Sequence, residues 1–256
     1  MVEPAFSILV LTEDSGKQGQ PTVEALTRCI LRRIDGACNL AKAQLEPLAD
    51  ESLEAVVHAN LWKSTRDEHR ATRIALHRHI AAALVQKARP AFVVFHVDGD
   101  RPWGDRATSE NLAKFRDLIE KPVWRLIERR VQKQSDEERT RITAEARSRL
   151  FLLMPFYSIE AWLYQNTREA LRILHERHGG SHRFQFEEWS RDRRLLDEVI
   201  KPKRADVSPL EGFYNLELAS TGFPTEEVEG AGKSFAENLA RMRASEPLRI
   251  ALSKAR

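Results

Sequence analysis

The feature that most constrains this chain is a strand pattern that ends in two acids. Ala91–Val97 is a run of β-branched, aromatic and other apolar residues, interrupted only by His96, and Asp98-Gly99-Asp100 follows at once. Such a run is typical of a parallel-sheet strand covered on both faces. Ligands of these sheets bind at the carboxyl ends of the strands, because the loops there present polar groups. The run therefore predicts an α/β fold with a polar site after residue 97.

The two acids admit two interpretations. If strand geometry continued, Asp98 and Asp100 would project from one face, and Gly99 lets the backbone turn between them. Two close carboxylates repel each other, and a hard cation such as Mg²⁺ is the usual reason to keep both ionised. An Asp-Gly pair is also an ordinary turn after a strand. Both interpretations stay open on this segment alone.

Two further apolar runs are also followed by acids. Phe6–Thr12 leads into Glu13, and the run from Leu150 to Pro155 leads into Ser158 and Glu160. Ser158 is a suitable N-cap and would place Glu160 in the first turn of the next helix, where Glu is also favoured by the helix dipole alone. We therefore expect a central sheet of about four mainly parallel strands with helices on both faces. Residues 43–48 admit a further strand.

Helical periodicity and helix stop signals complete the predicted architecture. We expect helices from Pro21 or Thr22 to Gly36, over residues 68–88, from an N-cap at Thr108 or Ser109 to about residue 131 with an interruption at Pro122, and from Ser158 to His178 before Gly179-Gly180. We divide the chain into a sheet-containing domain, residues 1–178, which would carry the polar site, and a mostly helical C-terminal extension packed on it, residues 179–256.

The net charge of the chain is small, but basic residues are concentrated in particular segments. Lys and Arg number 41 against 38 Asp and Glu, so composition permits nucleic-acid binding without requiring it. Residues 125–149 hold eight Lys or Arg against five Asp or Glu, which indicates either a solvated helical arm or a surface for phosphates. A nucleotide-binding P-loop is excluded, because no Gly-Lys-Ser/Thr ending follows Gly16 and Gly19.

The sequence also bears on where the protein works. It has no signal-peptide pattern and no apolar run of the roughly 20 residues that a membrane span needs. Cys29 and Cys38 lack a CxxC or zinc-ligand context and are interpreted as free thiols in a reducing compartment. We therefore expect a cytoplasmic protein with no membrane contact.

Three segments carry a resemblance to a known superfamily. Leu9–Glu13, Val93–Asp100 and Ser158–Leu163 resemble the motifs of Toprim proteins. Within that superfamily the chain resembles the DUF4276 proteins of bacterial defence loci, which are related to the nuclease halves of overcoming-lysogenisation-defect proteins and to RloB-like proteins. The first acid of those proteins usually leads directly into a glycine turn, whereas here Asp14 and Ser15 intervene, so Asp14 can replace or assist Glu13.

The resemblance implies a Toprim-like fold and a defined site. Glu13, Asp98, Asp100 and Glu160 would be the catalytic residues and the ligands of Mg²⁺ or Mn²⁺, with Glu13 also able to act as general acid or base. Ions held by carboxylates suit phosphodiester hydrolysis, because they neutralise charge in the transition state and activate water. The implied function is a metal-dependent endonuclease, cleaving DNA or RNA in anti-phage defence. Its implied partners are nucleic acid, an ATPase and, for a homo-oligomer, a second copy of the chain.

Two other functions stay open. The chain can be a Toprim-scaffold regulatory or interaction subunit of a defence ATPase, with weak or no activity of its own. Alternatively, the acids are only turn and cap residues of a doubly wound domain that binds a small ligand. A topoisomerase is disfavoured because the chain lacks a tyrosine-bearing DNA-gate domain, and packing explains Tyr157, Tyr164 and Tyr214.

Overall fold

A four-stranded parallel sheet forms the centre of the molecule. The structure, a computed structural model, describes residues 3–86, 91–177, 182–200, 202 and 214–256. The strands are β1 (Phe6–Thr12), β2 (Ala43–Glu46), β3 (Ala91–His96) and β4 (Leu150–Leu153), in the order β2-β1-β3-β4. Every neighbouring pair is parallel. The predicted α/β fold is confirmed, and it is consistent with a Toprim-like architecture.

Both faces of the sheet are buried, which explains the unbroken apolar runs. In β1, Phe6, Ile8 and Val10 belong to one hydrophobic cluster, and Leu9 and Leu11 belong to a second cluster on the opposite face. Alternate residues of a strand point to opposite faces, so a strand covered on both sides is apolar at most positions. The polar exceptions in β1 and β3 are Ser7, Thr12 and His96.

Helices cover the face that contains Leu9 and Leu11. They are α2 (Glu51–His58), α3 (Arg70–Leu84), α4 (Glu110–Phe115), α5 (Lys121–Val131) and α6 (Asp136–Arg147), and each contributes buried residues to that cluster. The sequence pattern predicted α3 well, because its apolar residues recur at helical spacing.

The opposite face is covered by one N-terminal helix and by the C-terminal part of the chain. These helices are α1 (Gly19–Ile34), α7 (Glu160–Leu163), α8 (Thr167–Arg177), α9 (Arg183–Arg191), α10 (Asn215–Ser220), α11 (Thr225–Ala231), α12 (Lys233–Arg243) and α13 (Glu246–Lys254). The C-terminal helices thus share one core with the sheet. The domain boundary predicted between residues 178 and 179 lies outside the described residues.

None of the helices in the described part of the chain combines the length and the apolar character that a membrane span requires.

The predicted interruption near Pro122 is present. Ser109 caps α4 by accepting a hydrogen bond from Leu112 N, and a π-helical segment, Arg116–Glu120, separates α4 from α5. Pro122 has no N–H and cannot donate to the carbonyl of Leu118, four residues earlier. His77 Nε2 of α3 donates to that carbonyl instead, at 2.6 Å. A side chain from a neighbouring helix therefore binds the carbonyl to which Pro122 cannot donate.

The single helix predicted from Ser158 to His178 is wrong, because the structure has two, α7 and α8. Between them, Asn166 donates from its side chain to the carbonyls of Leu218 and Thr221 at the end of α10, and Asn is a poor residue for a helix interior. Ser158 is not the N-cap, since Ile159 holds that position. The predicted helix end at residues 178–180 lies outside the described residues.

Candidate active site at the carboxyl edge of the sheet

The first two acid-bearing segments are in direct contact. Glu13 N donates to His96 O at 3.3 Å, which extends the pairing of β1 with β3 by one residue. The Glu13 side chain then reaches across the strand ends, and its Oε1 accepts a hydrogen bond from Asp98 N at 2.6 Å. The two residues are 85 positions apart in the chain, and parallel pairing brings them together as the sequence predicted.

Asp98 also binds the third segment. Its Oδ1 accepts a hydrogen bond from Ile159 N at 2.9 Å, at the start of α7. The first N–H groups of a helix have no partner inside the helix, so Asp98 caps α7 from a distant part of the chain. The Asp98 carbonyl accepts a further bond from Asn111 Nδ2 at 2.7 Å. Asp98 is thus the residue at which all three segments meet.

Asp100 departs from the expected geometry. Because β3 ends at His96 and Asp100 has a φ of 54°, in the left-handed region that Asp tolerates, Asp98 and Asp100 do not lie on one face of a continuing strand. Asp100 Oδ2 accepts a hydrogen bond from Glu110 N, at 3.2 Å, at the start of α4. Its Oδ1 is buried and has no hydrogen-bond partner among the described residues.

Gly99 allows the turn between these acids to pack against the end of β4. Gly99 N donates to Pro155 O at 2.9 Å. A Cβ at this position would lie 2.6 Å from the ring of Phe156 and 2.8 Å from Pro155 O, and neither distance is sterically possible. The glycine is therefore required by a close backbone approach.

Glu160 is buried, and neutral donors bind its carboxylate. Its exposure is 3%, its Oε2 accepts a hydrogen bond from Ser158 Oγ at 2.6 Å, and its Oε1 accepts one from Asn215 Nδ2 at 3.1 Å. Asn215 belongs to α10, so Glu160 connects α7 to the C-terminal part of the chain. The structure brings the backbone beside Glu160 to Asp98 and turns the Glu160 carboxylate toward α10.

Lys63 is a residue of this edge that the sequence did not indicate. Its Nζ lies 2.6 Å from Glu13 Oε2 in a largely buried ion pair, with the two side chains 18% and 11% exposed. Lys63 ends a 3₁₀ turn, Leu61–Lys63, in a segment where the sequence predicted no site residue. A single Lys without a motif around it gives no signal that could have identified it.

His96 is the second such residue. Its Nδ1 is 2.9 Å from Thr12 Oγ1, and its Nε2 is 3.6 Å from Asp98 Oδ1. Burial lowers the pKa of His96, but the nearby carboxylates of Asp98, Glu13 and Asp14 outweigh burial and raise it above the ordinary value. A signal was present, since His96 is the one polar residue within the run Ala91–Val97.

Asp14, the alternative to Glu13, has a role in the loop. Its Oδ1 accepts a hydrogen bond from Gly16 N at 2.9 Å, which shapes the turn after β1. A Cβ on Gly19 would lie 2.5 Å from Asp14 O, so α1 begins in close contact with this turn. Of the two acids, Glu13 is the one that reaches Asp98.

The four acids suit Mg²⁺ in kind but not in their present arrangement. Carboxylate oxygens are the ligands that Mg²⁺ prefers, and Asp100 Oδ1 is buried with no described partner. However, no three His, Cys, Asp or Glu side chains in the described ranges lie together in a group that could hold a metal ion. In the structure, Lys63 and Asp98 N bind Glu13 while Ser158 and Asn215 bind Glu160. An ion would have to displace Lys63 from Glu13.

Comparison with known proteins finds no matching family model, no matching curated protein and no matching solved structure. The fold and the carboxyl edge therefore define the class to which the chain can be assigned, an α/β protein with a parallel sheet and an acid-lined edge.

Proposed function

We propose that this edge hydrolyses phosphodiester bonds of nucleic acid, with Mg²⁺ or Mn²⁺ as cofactor. One observation carries the proposal, the double contact of Asp98 with Glu13 through its N–H and with Ile159 N through its carboxylate. These contacts join segments 85 and 61 residues apart, at the edge where parallel sheets bind their ligands. Glu13, Asp98, Asp100 and Glu160 would hold the ion.

The chain's own residues have distinct parts in this proposal. Glu13 is the candidate proton acceptor, because a carboxylate in hydrogen-bond reach of a reacting group can act as a general base. A bound ion would supply charge neutralisation and an activated water. Lys63 now compensates the charge of Glu13 at 2.6 Å. If an ion were held at Glu13, it would supply that compensation, and the Lys63 ammonium group would be available to an anionic phosphate.

The biological setting belongs to the proposal as well. Anti-phage defence and an ATPase partner are supported by the resemblance to DUF4276 proteins. A cytoplasmic location is supported by the two cysteines, which are both free.

A second candidate function is the regulatory or interaction subunit of an ATPase. It is favoured by the observation that a protein donor binds the carboxylate of each of the four acids. It is also favoured by the missing three-residue metal group in the part of the chain that the structure describes. The two candidates differ in whether the edge binds a metal ion and cleaves.

A cleavage assay separates them. The full chain is incubated with labelled DNA and RNA, single- and double-stranded, in Mg²⁺, Mn²⁺ or EDTA. We expect cleavage only with a metal ion, and we expect Asp98→Asn to reduce it to background. Asp105→Asn is the matched control, because Asp105 is exposed in the neighbouring 3₁₀ segment, and it should cleave like the parent. Cleavage that resists EDTA, or that survives Asp98→Asn, would favour the interaction subunit.

A further inference from the structure

Two neighbouring surface cavities share one lining residue, Arg147. The first, of about 910 Å³, lies against β4, with α4 and the π-helical segment Arg116–Glu120 on one side and α12 on the other. The second, of about 670 Å³, lies between α5 and α6. The two cavities therefore adjoin at the Arg147 side chain. We call these two cavities together the basic groove.

Arginine dominates the charged residues of the basic groove. The first cavity is lined by Arg106, Arg116, Arg147 and Arg241 with Glu120 and Glu237. The second is lined by Arg125, Arg129, Arg139 and the shared Arg147 with Glu128. The basic groove is therefore lined by seven arginines and three glutamates, although the whole chain carries a net charge of only +3. This concentration of positive charge fits a polyanion.

Much of this charge is not neutralised by the protein. Arg116, Arg125 and Arg129 form no ion pair with any residue that the structure describes, and the ion pair of Arg147 with Glu128 is long, at 3.7 Å. The remaining pairs lie on exposed helix surfaces, where ion pairs contribute little. The groove therefore has guanidinium groups free to bind phosphates.

One end of the groove is aromatic and adjoins the acid edge. Trp103 and Phe156 line the first cavity with their ring centroids 5.6 Å apart, and Arg106 lies over the Trp103 ring at 4.1 Å. Trp103 follows Asp100 by three residues, and the Phe156 ring is the group that excludes a side chain at Gly99. A chain bound in the groove would thus have its end beside the turn that contains the two aspartates.

We propose that the basic groove binds a single strand of nucleic acid and leads it to the acid edge. Arginines that follow a backbone, with aromatic rings on which bases stack, are the combination by which proteins hold unpaired strands. Bases in a duplex are stacked on one another and present no free ring face to Trp103. The direction toward the acid edge rests on the proposed function, whereas the binding does not.

Binding is measured by fluorescence anisotropy with labelled single-stranded DNA and RNA in EDTA, which prevents cleavage. The double variant Arg116→Ala/Arg147→Ala should raise Kd about tenfold or more, and it should reduce the slope of log Kd against log salt by about 0.7 for each phosphate that the variant no longer binds. The matched control is Arg168→Ala/Arg249→Ala, which removes the same charge from exposed positions outside the groove and should leave Kd unchanged.

Stacking and strandedness are tested in the same assay. Trp103→Leu should raise Kd for single strands about fivefold or more and leave the salt slope unchanged, because stacking involves no counterion release. Equal affinity of the Arg116→Ala/Arg147→Ala variant and its control would overturn the proposal. Duplex that binds as tightly as single strands through the same arginines would overturn it too.

The proposal of binding in the groove and the proposal of cleavage at the acid edge can be refuted independently of each other. If the arginine variants lose binding but the parent cleaves nothing in Mg²⁺ or Mn²⁺, the groove stands and the nuclease assignment fails. If the parent cleaves and the arginine variants bind and cleave like it, the nuclease assignment stands and the groove is wrong.

Discussion

Among single residues, Asp98 shows most clearly how one side chain can serve both structure and chemistry. The resemblance to Toprim motifs predicted it as a metal ligand. It did not predict that Asp98 caps α7, because the N–H that it binds belongs to Ile159, 61 residues later. Asp100 likewise binds the start of α4. Each carboxylate thus binds a different helix end, so we expect capping rather than mutual repulsion to dominate at this turn.

Capping by Asp98 and repulsion between Asp98 and Asp100 predict opposite effects of Asp98→Ala on stability. If repulsion between Asp98 and Asp100 dominated, Asp98→Ala would stabilise the metal-free protein. Because Asp98 caps α7, we expect Asp98→Ala to lower the free energy of unfolding by about 0.5–2 kcal/mol. Asp98→Asn keeps an acceptor oxygen and should cost only a few tenths of a kcal/mol. Urea denaturation in EDTA measures both, and a gain in stability for Asp98→Ala would show that repulsion wins.

Asp197 is a buried acid away from the carboxyl edge. It is 1% exposed, and its Oδ1 accepts a hydrogen bond from Ser234 Oγ at 2.5 Å. Ser234 in turn accepts a bond from Trp162 Nε1 of α7 at 2.7 Å. Burial raises the pKa of Asp197 to about 7, against the smaller opposing effects of Ser234 and Lys233.

The raised pKa predicts that stability falls as pH rises. The folded protein binds this proton more tightly than the unfolded chain, whose Asp has a pKa near 3.8. The contribution of Asp197 to the free energy of unfolding is therefore largest below about pH 4. It declines by up to about 1.4 kcal/mol per pH unit until the pH passes about 7. Asp197→Asn should flatten this slope between pH 5 and 7 in urea denaturation. An unchanged slope would mean that Asp197 is already ionised across that range.

At the scale of elements, the strands were more predictable than the helices. The observed β1 has the bounds that its apolar run predicted, and the bounds of β3 and β4 differ from the predicted ones by two residues or fewer at each end. Strands buried on both faces are predictable because they appear in the sequence as nearly continuous apolar runs. The division of the helix after Ser158 was not predictable. It depends on Asn166, whose partners Leu218 and Thr221 lie at the end of another helix.

The hydrogen bond from His77 of α3 to the helix interrupted near Pro122 can be tested by mutation. His77→Leu leaves the Leu118 carbonyl without the donor that His77 Nε2 provides, and we expect a loss of about 1–3 kcal/mol. Pro122→Ala supplies a backbone N–H that can donate to the same carbonyl, so His77→Leu should cost less in that background. A double-mutant cycle by urea denaturation measures the coupling between the two positions. Strictly additive losses would show that His77 is needed only for packing.

At the scale of the molecule, the C-terminal part of the chain holds residues of the candidate site in place. Phe235 of α12 packs against Trp162 of α7 and Phe223, with ring centroids 5.2 and 5.8 Å apart. Asn215 of α10 binds Glu160. Helix α7, which bears the third motif, is therefore held from the C-terminal side. The sequence predicted a helical extension, but contacts between such distant positions leave no local pattern.

The site as a whole was predictable in part. Parallel sheet topology was enough to bring Glu13 and Asp98 together from sequence. The engagement of Glu160 by Asn215 and of Glu13 by Lys63 was not, because each depends on a partner 50 or more residues away in a segment without a motif. These two contacts also decide whether the edge is ready to bind an ion.

The most direct test of the proposed metal site is Mn²⁺ binding by the metal-free full-length chain, measured by isothermal titration calorimetry. We predict saturable binding that Asp98→Asn abolishes and that Asp105→Asn leaves intact. Lys63→Met should tighten it, because the ion and Lys63 compete for Glu13 Oε2. No saturable binding by the parent, or equal binding by Asp98→Asn, would contradict a metal site at the carboxyl edge and leave the interaction subunit as the better account.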